Sequence, residues 1–130
     1  MTSFTRLLPV LFTALVIAVH LGLALWQNGG QFTYALDDPY IHLDLADQIA
    51  RTGVYGVNEG EISAPSSSIL WPLLLIPLHD TPFHLYLPLL LATLSALAAA
   101  ATLSRVVRLL IGEEADEDFV ALFTCMGAII

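Results

Sequence analysis

The sequence contains no lysine, and its only cations are four arginines set against twelve acids in 130 residues. A nucleic-acid-binding protein needs a clustered basic face to neutralise phosphates. At a formal net charge of −8 that face is missing, so no nucleic-acid partner is expected. Cysteine is nearly absent as well. Cys125 stands alone in an apolar run and reads as a small buried hydrophobe, which excludes a disulfide framework within the chain. Charge of either sign is scarce at 12%, about half of the ~25% usual in soluble domains. No GxGxxG, Walker, HExxH or GxSxG pattern occurs. What is abundant is apolar side chain, 57% of the chain, with a mean hydropathy of +0.78. That excludes disorder and points to a membrane protein.

The apolar residues fall in separated runs. Leu7 to Trp26 holds 20 residues without a formal charge and predicts a membrane-spanning helix, with Arg6 before it and Trp26 at interface depth. A cleaved signal peptide is the rival reading. The run is longer than a usual signal core of about 7–15 residues, and no good A-x-A site follows it, so an uncleaved anchor is expected. Phe83 to Ile111 predicts a second span. Thr81-Pro82 is its start signal, Gly112 its stop, and Arg105 and Arg108 sit near its end. The small side chains of Ala96–Ala101 permit close helix approach. Residues 112–118 form an acidic connector. The twelve residues 119–130 are apolar or neutral but too few for the ~20 a span needs, so they are expected to begin a truncated third span in a longer protein.

Between the spans, Gln27–Thr81 is mostly polar, with seven acids and one arginine. Within it, residues 39–52 predict an amphipathic juxtamembrane helix. Asp38 suits its N-cap, Pro39 its first position and Gly53 its stop, while Ile41, Leu45 and Ile49 share a face. Residues 68–78 are apolar but only 11 long and hold Pro72 and Pro77, which predicts a short interfacial helix. Arginine distribution sets the orientation. With a cytoplasmic N-terminus and a non-crossing 68–78 segment, only Arg51 lies outside, so the acidic loop is expected to be extracytoplasmic. The fold class is therefore all-α and polytopic: two full spans, an amphipathic helix, an interfacial helix and a truncated span.

Several groups in the loop bear chemistry. Asp37 and Asp38 are adjacent carboxylates close to the membrane face, suited to general-base work or to a metal. The plainer reading is that Asp38 caps the helix and Asp37 is a solvated neighbour. Asp38 and His42 lie one helical turn apart, and Asp44 and Asp47 lie three residues apart; either pair could share a metal, or simply form a solvated face. His79-Asp80 ends the short apolar helix, as a loop cap or as a contact to a phosphate-bearing substrate. His20, inside the first span, is expected to donate an interhelical hydrogen bond.

The order of these elements carries a resemblance. One apolar helix precedes Asp37-Asp38-Pro39-Tyr40-Ile41. An amphipathic helix then ends in Ala46-Asp47-Gln48-Ile49-Ala50-Arg51-Thr52-Gly53, followed by a glycine-bearing segment and Ala64-Pro65-Ser66-Ser67-Ser68-Ile69-Leu70-Trp71-Pro72. Over roughly Leu7 to Ile111 this resembles the N-terminal part of the GT-C membrane glycosyltransferases, in the branch of protein mannosyltransferases and lipid A aminoarabinose transferases. The departure is Ser68-Ile69-Leu70-Trp71, where the family pattern has Ser-Pro-Leu-Trp. The resemblance implies inverting transfer of a sugar from a polyprenyl-phosphate donor to an acceptor outside the cytoplasm. It makes Asp37 the catalytic base, has Asp38 orient the acceptor or a divalent cation such as Mg or Mn, and puts Tyr40 beside the substrate. The implied partners are the lipid bilayer and the lipid-linked donor. Two rivals stand: a non-enzymatic accessory subunit whose acidic loop binds a partner or cations, and a transporter fragment.

Overall fold

The computed structural model describes residues 3–56, 58, 62–63, 66 and 68–111. The acidic connector and the expected third span, with Cys125, lie outside those residues. The described elements are all helical: α1 (Ser3–Gln27), α2 (Asp38–Thr52), α3 (Leu70–Leu75), a 3-10 turn at His84–Tyr86, and α4 (Leu87–Ile111). Two helical stretches, Leu7–Gln27 and His84–Leu110, are long and apolar enough to cross a membrane. Only 11% and 22% of their apolar windows are buried within the chain, unlike the core helix of a soluble protein. The chain divides into two compact units, residues 1–33 with 92–130, and Tyr34–Leu91.

In the first unit, α1 runs through Pro9 without a break in the helix. The buried Thr13 hydroxyl donates to the Pro9 carbonyl at 2.9 Å. His20 differs from the expectation of an interhelical bond. Its Nδ1 lies 2.8 Å from the Val16 carbonyl of its own helix, so the polar group is satisfied one turn back. On α4, Ala100, Ser104 and Val107 are buried at helical spacing, which continues the small-residue stripe of Ala96–Ala101.

The second unit is built on α2 packed against α3. Its core joins Leu43 and Ala46 of α2, Leu75 of α3 and Leu87 of α4, with Tyr34, Trp71, Ile76, Leu85 and Leu91 against them. The buried face of α2 is thus Leu43, Leu45 and Ala46 rather than the expected Ile41, Leu45 and Ile49, which leaves the two isoleucines half-buried. Ala46, fully buried, lacks the bulk that would hold α3 away. Gly53 ends α2 as expected: it takes the left-handed conformation at φ 71°, and its N–H donates to Ile49 O at 2.8 Å.

Three boundaries move from their predicted places. The N-cap of α2 is Asp37, not Asp38: the helix already includes Asp38, and the Asp37 carbonyl accepts the first bonds, from the Tyr40 and Ile41 N–H groups. The expected 68–78 helix shrinks to the six residues of α3. The Ser68 hydroxyl accepts from the Trp71 N–H at its start, while Pro77 and the left-handed Leu78 (φ 79°) lie beyond its end. The second apolar helix starts with the 3-10 turn, and Pro88 occupies the first turn of α4, where its missing N–H costs nothing. Thr81 instead closes a turn, donating both N–H and hydroxyl to Leu78 O at 2.9 Å.

Candidate functional site

The two ends of α2 carry two different acidic groupings. At its N-terminus, Asp37 and Asp38 are both exposed. The Asp37 side chain makes no capping bond, although it occupies the N-cap position. Neither carboxylate has a hydrogen bond or ion pair with another described residue. Capping therefore does not consume this pair.

The backbone around the pair is held by tyrosines. The Tyr34 hydroxyl donates to Leu85 O at 2.8 Å and accepts from the Leu89 N–H at 3.2 Å. One phenol thus bridges the loop before α2 to the start of the second long apolar helix. The Tyr34 N–H donates to the Tyr40 hydroxyl at 3.0 Å, and the two rings meet edge to face with centroids 5.4 Å apart. Partial burial raises the Tyr34 phenol above its usual value, against the opposing hydrogen bond from Leu89 and with Tyr40 adding to the rise. Tyr40, expected beside the substrate, directs its hydroxyl to the Tyr34 backbone. The sequence signal for Tyr34 is only a pair of aromatics in a polar loop, Phe32 and Tyr34, the second six positions before Tyr40.

His42 is half-buried on α2, one turn after Asp38, and its Nδ1 is buried without a hydrogen-bond partner. All-oxygen donors such as the Asp37 and Asp38 carboxylates suit Mg or Mn, and the His42 ring adds one nitrogen on the same helix. Asp44 is exposed.

At the other end of α2, about 13 Å along the helix axis, Asp47 meets Arg51, His79 and Asp80. Asp47 Oδ2 accepts from Arg51 Nε at 2.8 Å, an i, i+4 pair in the favourable acid-first order. Asp47 Oδ1 lies 3.5 Å from His79 Nδ1, and Asp80 Oδ1 lies 3.2 Å from the same nitrogen. The Arg51 hydrogen bond holds the Asp47 carboxyl below its ordinary value despite some burial, and the adjacent His79 adds to this. Asp47 in turn raises Arg51. Among the described residues, Asp47, His79 and Asp80 are the group of three whose ligand atoms lie close enough for one metal ion, all within 4.8 Å of one another. Among the described residues, Asp38 and His42 are not joined by a third such ligand.

Ahead of α3, the Tyr55 hydroxyl donates to Ser68 O at 3.2 Å, and the Ser66 hydroxyl donates to the same carbonyl at 3.1 Å. Tyr55, Ile62, Ser63, Ser66 and Ile69 line an open, mainly apolar hollow there. In Ser68-Ile69-Leu70-Trp71 the Ser68 hydroxyl accepts from the Trp71 N–H at the start of α3. Comparison with protein-family models, with curated proteins and with solved structures finds no match to this chain.

Proposed function

We propose that these residues supply the first two spans and the catalytic loop of a GT-C-type integral membrane glycosyltransferase, with the N-terminus cytoplasmic and the loop outside. The single observation that carries the reading is the Asp37–Asp38 pair. Both carboxylates are exposed and uncommitted, at a helix start that Tyr34 ties to the beginning of the second apolar helix. A polyprenyl-phosphate donor presents its reactive carbon at the membrane surface, and a base must come within about 3 Å of the proton it removes. The exposed Phe83 and Tyr86 at the loop-side end of the second apolar helix suit an aromatic anchor at that surface.

In the reaction, the acceptor hydroxyl oxygen attacks the anomeric carbon from the face opposite the phosphate. Asp37 takes the hydroxyl proton. The bond from the carbon to the phosphate oxygen breaks, and polyprenyl phosphate leaves with the electron pair. Asp38 orients the acceptor. Where a divalent cation takes part, Asp38 with His42 would hold it, and it would supply positive charge for the phosphate. Arg51 is engaged with Asp47, so the cationic partners of the donor phosphate come from elsewhere in the protein.

The test replaces Asp37 by Asn in the full-length protein and follows transfer from a lipid-linked sugar. Loss of at least about a hundredfold is expected for a removed general base. Wild-type transfer by a variant with an unchanged far-UV spectrum overturns the assignment. Orientation is checked by a single cysteine at the exposed Leu36, in a Cys125→Ser background. Labelling only from the cytoplasmic side would reverse the topology.

A further inference from the structure

We propose that Asp47, His79 and Asp80 form a binding site for a divalent transition cation of the zinc class, separate from the Asp37–Asp38 pair. The proposal does not rest on the glycosyltransferase reading.

The argument begins with His79 Nδ1. This atom is buried and makes no hydrogen bond, although two carboxylate oxygens lie 3.2 and 3.5 Å away. Unprotonated, its lone pair would face two anions. Protonated, it would pair ionically with both carboxylates without a hydrogen bond to either. A cation seated between the three atoms satisfies all of them at once.

The distances agree with that seat. A tetrahedral ion bound at about 2.0–2.2 Å places neighbouring ligand atoms about 3.3–3.6 Å apart. The two separations from His79 Nδ1, 3.2 and 3.5 Å, lie close to that range. The three ligand atoms lie within 4.8 Å of one another, a bound wider than the tetrahedral edge, which a movement of the exposed Asp80 side chain would close. Imidazole nitrogen and carboxylate oxygen are both donor types that zinc accepts.

Asp47 divides its two oxygens between neighbours. Oδ2 is fixed by Arg51, and Oδ1 is turned toward His79. Arg51 therefore orients a first ligand from outside the site, as supporting partners do around bound metals. The Asp80 side chain is 73% exposed, so the fourth position opens to water. The ion would clip the turn after α3 onto the last turns of α2. Successive turns bring His79 there: its N–H donates to Ile76 O at 3.1 Å, directly after the left-handed Leu78.

The experiment uses the whole chain, purified in detergent without a polyhistidine tag, and titrates it with Zn2+ and Co2+. Expected are uptake of one equivalent of Zn2+ with micromolar or tighter affinity, visible Co2+ absorption bands of a low-coordinate site, and a rise in unfolding temperature on binding. His79→Ala and Asp80→Asn should each weaken uptake by more than about tenfold. His20→Ala, in the first apolar helix and satisfied by its own helix, should bind as wild type does. Asp80→Asn changes an exposed side chain and so reads the site without a folding defect. The proposal is overturned if the wild type takes up no Zn2+ in that range, or if the His79 and Asp80 variants bind as tightly as wild type, which would mean an adventitious ion only. Loss in Asp38→Asn with retention in His79→Ala would move the ion to the other end of α2 and also overturn it.

Discussion

The two ends of α2 carry similar residue types in opposite conditions. At the N-terminal end, two adjacent carboxylates are exposed and pair with nothing described, while tyrosines immobilise the backbone beneath them. At the C-terminal end, one carboxylate is fixed by an arginine and turned toward a histidine and a second carboxylate. An acidic side chain free of partners can accept a proton from a substrate; one already committed can only hold position or share a cation. Composition alone scores both ends as acidic loop. The hydrogen bonds separate them.

The largest effect that can break this comparison is on chemistry. Asp37→Asn should lower sugar transfer by about 10²–10⁴-fold, the usual contribution of a general base, with KM for the acceptor little changed. A steady-state assay of the full-length protein reads it. Should Asp37→Asn transfer sugar normally while Asp47→Asn does not, the roles of the two ends would be exchanged.

Next comes Tyr34→Phe, which acts on the N-terminal end alone. It leaves Leu85 O and the Leu89 N–H without their phenol partner. Unsatisfied partly buried groups cost about 1–3 kcal/mol, and thermal unfolding in detergent measures the loss. The raised Tyr34 phenol adds a pH signature. Its stabilising effect is complete below the ordinary value of 10.0 and is lost as pH rises through the higher folded value. The Phe variant should lack that alkaline fall. Zinc uptake at the far end of α2 should not change.

At the C-terminal end, Gly53→Ala should cost about 1–2 kcal/mol, the penalty of a left-handed conformation for a residue with a Cβ. No neighbouring atom lies within 4 Å of an added Cβ, so the cost is purely one of backbone conformation. A loss well below this in the same unfolding assay would show that α2 can end elsewhere, and that the Asp47 end is less fixed than the Tyr34 end.

Local signals made some of this legible in the sequence. Long apolar runs mark both long helices, the first free of formal charge and the second with charge only near its end, and Gly53 marks the end of α2 because only a residue without a Cβ takes φ 71° cheaply. The acidic pair was placed at a helix start, one position from its true register. The site's supports were not legible. Tyr34 reaches Leu85 and Leu89, and Asp47 reaches His79, only because α2 packs on α3 and the chain then reverses through the left-handed Leu78. A leucine carries no sequence signal for that conformation, so the encounter of positions 47 and 79 depends on tertiary packing that no local pattern encodes. The buried face of α2 is not encoded locally for the same reason. Periodicity favoured the larger Ile41 and Ile49, whereas the close approach of α3 selected the small Ala46.

The smallest expected effect is the acid response of the C-terminal end. The Arg51 hydrogen bond depresses Asp47, so the folded chain releases this proton more readily than the unfolded chain. The resulting stabilisation is fully present above the ordinary carboxyl value of 3.8 and is lost as pH falls through the lower folded value. Asp47 is partly exposed and Arg51 more so, at 34% and 62% of their side chains, so solvent and salt screen the pair and the shift in unfolding temperature should be slight. Asp47→Asn should flatten the acid limb of the unfolding curve below pH 3.8 while leaving the neutral region nearly unchanged. An acid limb equally steep in the variant would mean that the Arg51 hydrogen bond does not depress Asp47 in the folded chain.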